Sequence, residues 1–69
     1  MELDEERAMM ITNAVGIAVL ELRFLDELVT EYTISEKLEE MRRKETNVIG
    51  KEVCRDAAEL VRTGRLPVA

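Results

Sequence analysis

Histidine and tryptophan are absent from this 69-residue chain, cysteine and proline occur once each, and glycine occurs three times. Each shortage removes a class of function. Without histidine, the commonest general base and metal ligand is missing. With Cys54 as the single thiol, no disulfide forms within the chain and a zinc site lacks its ligands. Di-iron carboxylate bundles use Glu-x-x-His, which cannot occur here. Gly16, Gly50 and Gly64 stand alone, so there is no glycine-rich phosphate loop. Ser35 is the only serine, and its position suggests helix capping rather than nucleophilic catalysis. These absences point away from an enzyme, and no cofactor or metal is expected.

Aromatic residues make up only 3% of the chain, which leaves no stacking platform for nucleic-acid bases. Long hydrophobic runs are also missing. The longest stretch without charge, Ala8 to Leu20, has 13 residues and falls short of the roughly 20 needed to span a bilayer. Glu2, Asp4, Glu5 and Glu6 have the wrong sign for a secretory or transit signal. With a lone thiol, this suggests the reducing cytoplasm and no membrane partner.

What is present favours helices. Apolar residues make up 46% and charged residues 36%, too apolar for a disordered chain. Asp4 is positioned to cap a first helix, with Glu5 and Glu6 in the turn where the helix dipole favours acids. Ala8, Ile11, Val15, Ala18, Leu22, Leu25, Val29 and Tyr32 recur at spacings of three and four, so the pattern predicts one helix over about 4–31. A second stripe, Leu3, Met10, Ile17 and Phe24, repeats every seven residues, with Ala14 and Leu28 beside it. Together they cover an arc of roughly 200° at 100° per residue, twice what an ordinary surface helix needs. Met9 and Met10 add soft side chains suited to core filling or to adaptable contacts.

Thr33-Ile-Ser-Glu36 matches a capping box, which places a break near Tyr32 to Ser35. A second helix then spans about 34–45 and a third about 47–63. The apolar face shifts by roughly 100° between Ile34, Leu38, Met41 and Val53, Ala57, Leu60. Asn47 can cap the third helix, and the break there is favoured over one bent helix through 34–63. Gly64 reads as the residue just beyond its end, Pro67 forbids continuation, and 64–69 reads as an extended tail. Leu66 is expected to fold back on Leu60 or Val61, or to dock on a neighbour. Ala14 and Ala18, like Cys54 and Ala58, are four apart and suit a tight crossing of the first and last helices, or are simply good helix formers. Cys54 reads as a buried small hydrophobe. A reactive thiol near Lys51 and Arg55 is the alternative.

Charge is segregated. Residues 1–41 carry three bases and eleven acids, net −8, and residues 42–69 carry seven bases and four acids, net +3. Complementary packing of the halves, within or between chains, is the favoured explanation. Alternatively, Lys37, Lys44, Lys51, Arg55 and Arg62 line up within roughly 40° if 34–63 is one helix, a basic face able to meet phosphates.

The sequence therefore reads as all-α, a single domain over 1–69. It has a long N-terminal helix and one bent or two shorter helices, assembled into an oligomeric bundle. A 28-residue first helix is roughly 42 Å long, so an elongated chain is expected. A chain this short buries only about 60% of its unfolded surface, and oligomerisation is the remaining way to add burial. The expected function is that of a self-associating helical adaptor or regulator, most simply a homodimer. Leu3, Met10, Ala14, Ile17, Phe24 and Leu28 form the interface, and another protein is bound. The alternative is a small nucleic-acid-associated regulator using the basic face.

Overall fold

A computed structural model describes residues 4–65. Three helices follow in order: α1 (Glu5–Phe24), α2 (Glu31–Lys44) and α3 (Val48–Thr63). No strand occurs among the described residues. Each helix packs on both others. The radius of gyration is 11.5 Å and the extents are 35 × 26 × 16 Å. The elongated shape expected from the sequence is thus corrected, and the cause is the length of α1.

α1 begins as read: the Asp4 carboxylate accepts from the Glu6 amide at 3.0 Å. It ends at Phe24, about seven residues before the periodic pattern gives out. The stop is a Schellman turn. The Glu27 amide reaches back to the Leu22 carbonyl at 2.9 Å and the Asp26 amide to the Arg23 carbonyl at 3.1 Å. Asp26 takes the left-handed conformation, φ 58°. Glycine is the usual residue there, and aspartate is one of the few others that tolerate it. Leu25, Val29 and Tyr32 therefore leave the α1 seam and stand exposed.

The second start also moves. Thr30, not Thr33, caps α2. Its hydroxyl accepts from the Thr33 amide at 3.1 Å, and the Thr33 hydroxyl accepts from the Thr30 amide at 2.8 Å. This is a capping box one turn earlier than the one read from Thr33 to Glu36. Ser35 is no cap: it is buried within α2 and donates to the Tyr32 carbonyl at 2.9 Å.

The break before α3 is real. Asn47 accepts from the amides of Ile49 and Gly50, and Gly64 closes the helix at φ 73°. The tail from Leu66 onward, with its expected docking, lies outside the described residues.

The core is built from small side chains. Ala14 and Ala18 of α1 and Ala57 and Ala58 of α3 are buried, together with Ile11, Leu38 and Val53. Val15, Ile34, Met41, Leu60 and Val61 pack around them. Among the described residues, Leu38 is the one large side chain fully shielded from solvent. Arg7 ties α1 to α3 through Asp56 at 3.0 Å and Glu52 at 3.6 Å. These are the only ion pairs between helices among the described residues, and their signs oppose the segregation, with the base on α1 and the acids on α3. The two halves do pack together, since α3 lies on both α1 and α2, but among the described residues no acid of the first half pairs with a base of the second between helices.

Candidate protein interaction surface

α1 presents apolar residues on two adjoining faces, and the fold covers one of them. Ile11, Ala14, Ala18 and Leu22 point inward. On the other side Met10, Asn13, Ile17, Leu20 and Phe24 follow at spacings of three and four, an unbroken seam of the kind that pairs helices. Met9 flanks it. Phe24 is 90% exposed, Leu20 69% and Ile17 50%, while Met10 is partly shielded at 37%. A helix with so wide an apolar arc is normally covered from more than one side.

Of the six residues read as an interface, Met10, Ile17 and Phe24 share this outer face. Ala14 is corrected: it lies in the core between helices. Leu28 is exposed, but it sits in the connection between α1 and α2, not on α1. Leu3 lies outside the described residues. Leu20 and Asn13 were missed because the seven-residue count followed one row of the seam. The alternating three-four spacing would have found them. Met9, read as core filling or an adaptable contact, is exposed rather than in the core.

The seam continues into an open groove of about 470 Å³ between α1 and the turn from α2 to α3. Met10, Ile17, Met41, Ile49, Val53 and Cys54 line it. Polar groups are few, chiefly Asn13, Glu45 and Asn47. The Glu45 carboxylate is occupied, accepting from the amides of Thr46 and Asn47. Burial pushes the Cys54 thiol above its ordinary range, with Glu45 and Glu39 adding to the rise and Arg42 opposing it. That is the opposite of an activated nucleophile. A second, smaller depression of about 230 Å³ near Tyr32 and Glu36 mixes charges of both signs.

The five cations read as a basic face do not form a straight row, because the helix that would align them is broken at Glu45 to Asn47. Each has a local partner. Lys37 and Lys44 both hold Glu40, at 3.2 and 3.0 Å, and keep its carboxyl below the usual range. Lys51 donates to the Arg42 carbonyl at 3.0 Å, satisfying an end of α2. Arg55 pairs with Asp56 and Arg62 with Glu59.

Among the described residues, no group of three metal-ligating side chains gathers, and no buried side-chain polar atom lacks a partner. No described helix is long and apolar enough to cross a membrane. Compared with protein-family models, curated proteins and solved structures, the chain matches none of them. The functional reading therefore rests on these residues alone.

Proposed function

We propose that this chain is a non-enzymatic helical interaction protein that self-associates, most simply as a homodimer, and acts as an adaptor or regulator through protein contacts. One observation supports it above the others: the outer face of α1 holds Met9, Met10, Ile17, Leu20 and Phe24 in solvent, on a helix whose inner face already forms the core. Contiguous apolar patches of several hundred Å² on a small soluble protein mark contact sites. A second copy presents the same patch and needs no other complement.

The test is mass and helix content together. The wild-type chain is expected to scatter light as a dimer at micromolar concentration. Ile17→Glu with Phe24→Glu is expected to yield a monomer that keeps most of its helix signal and melts earlier, because both side chains lie outside the chain's own core. Glu27→Lys in the α1–α2 connection leaves mass and melt unchanged. A monodisperse 7.9 kDa wild-type species with a stable melt would remove the self-association reading.

A further inference from the structure

The middle of α1 contains a glycine for which the chain itself has no use. Gly16 lies near the centre of a 20-residue helix. Glycine weakens a helix there relative to alanine, because it surrenders more backbone freedom. The backbone does not require it, since among the described glycines only Gly64 has positive φ. Crowding does not require it either: a Cβ built on Gly16 meets nothing within 4 Å. Gly50 contrasts with it, since a Cβ there would sit 2.7 Å from the Glu45 side chain. A bare patch on an exposed helix permits one further thing, the close approach of another backbone.

Gly16 borders the outer seam, next to Asn13 and Leu20 and midway between Met9 and Arg23. The charges along this helix have a direction. Glu5 and Glu6 occupy its first turn and Arg23 its last. None of the three makes an ion pair among the described residues. A parallel pair of α1 helices would set Asp4, Glu5 and Glu6 of both chains against each other. An antiparallel pair brings each Arg23 within about a turn, roughly 5.4 Å, of the other chain's Glu6, and also opposes the helix dipoles. The available area is of the right size. At about 60–120 Å² for each large apolar side chain, Met9, Ile17, Leu20 and Phe24 offer roughly 240–480 Å² per chain, and the flanking polar side chains add to it. This approaches the roughly 500–600 Å² per partner at which specific interfaces begin.

We propose that a second copy of this chain packs antiparallel along the outer face of α1, about a two-fold axis beside Gly16. The two backbones cross closely there, and Arg23 of each chain meets Glu5 and Glu6 of the other. Phe24 of each copy then stands near Met9 of the other, with Leu20 between them and the axis. This rests on the reading of α1 as the self-association face and adds the partner's direction and register.

The experiment separates the two. Met9→Cys and Arg23→Cys chains are oxidised mildly, alone and mixed, with the wild-type chain and its buried Cys54 as control. The antiparallel register gives a covalent dimer only in the mixture. Self-linked Met9→Cys chains overturn the direction and leave self-association standing, whereas a wild-type chain that scatters as a monomer overturns both. In parallel, Gly16→Leu and Gly16→Ala are compared with wild type by sedimentation and circular dichroism. Both should keep at least the wild-type helix signal, since the site has room, and Gly16→Leu should dissociate at least tenfold more readily. Equal dissociation of Gly16→Leu and wild type overturns the close crossing.

Discussion

Replacing Thr30 by alanine gives opposite results for two ways of folding the same residues. In the structure Thr30 is the N-cap of α2, with its hydroxyl accepting from the Thr33 amide at 3.1 Å. The reciprocal bond from the Thr30 amide to the Thr33 hydroxyl is 2.8 Å. Losing a threonine cap costs about 1 kcal/mol, and the one orphaned amide, that of Thr33, lies in an exposed turn, which keeps the figure from rising further. For a domain of this size that lowers the melting temperature by about 4–8 °C. If α1 instead continued through residue 31, as its periodicity suggests, alanine would be the better helix former there and would stabilise by up to about 0.7 kcal/mol. The sign alone decides. Thermal melts by circular dichroism suffice, at one protein concentration, because self-association would add its own shift. A melt raised or unmoved by Thr30→Ala refutes the break between α1 and α2. Asp26→Gly serves as the companion: relief of the left-handed strain, about 1–2 kcal/mol, outweighs the roughly 0.5–1 kcal/mol lost to a more flexible unfolded chain. Its melt should rise slightly.

Two further outcomes are expected. Leu38→Ala removes the one large side chain wholly shielded from solvent among the described residues. The usual cost of about 2–5 kcal/mol is about half of the total stability of roughly 3–10 kcal/mol for a chain of this length, so the variant should melt at least about 10 °C earlier by circular dichroism, at about 4–8 °C per kcal/mol. Cys54 has its thiol pKa raised by burial, so its stabilising contribution is complete below the unfolded value of about 8.5 and is lost as pH climbs through the folded value. Native protein should react slowly with thiol reagents and lose stability in alkali, and Cys54→Ala should flatten that alkaline loss. Rapid labelling under native conditions would contradict the buried placement.

The sequence showed helices wherever an end was marked by a residue with one dominant meaning. Asp4, Asn47 and Gly64 stand at three such ends, and the structure uses all three. The end of α1 carried no such mark. Its stop depends on Asp26 taking a conformation that glycine usually provides, and on amides that reach back only after the chain has turned. Periodicity cannot detect this, because Leu25, Val29 and Tyr32 keep the three-four spacing after the helix has ended. The capping box was misplaced for a related reason. Thr30 and Thr33 form one as a reciprocal threonine pair, whereas the pattern sought required a glutamate. The outer face of α1 was partly legible, since Met10, Ile17 and Phe24 repeat every seven residues. Gly16 was not, because its lack of any crowding neighbour appears only in three dimensions.

The distribution of side-chain size carries the argument for assembly further than the count of exposed residues does. In most small domains the largest apolar side chains are enclosed and alanine is spread about. Here four alanines lie at the centre, while Phe24, Leu28, Leu20, Met9 and Tyr32 stand outside. Small side chains let helices approach closely, but each removes little apolar area from water. Three short helices packed on alanine therefore gain close contact and little hydrophobic driving force. The side chains that would provide that force are on the outer face of α1 and in the connection that follows it. A chain selected to fold alone would gain by moving them inward, and nothing in the backbone prevents leucine at more core positions except the closeness of the helices. Keeping the core narrow and the large residues outside is coherent if the cooperative unit includes a second copy. The alanine core then fixes how the three helices are held, and the outer seam provides the burial that the core lacks.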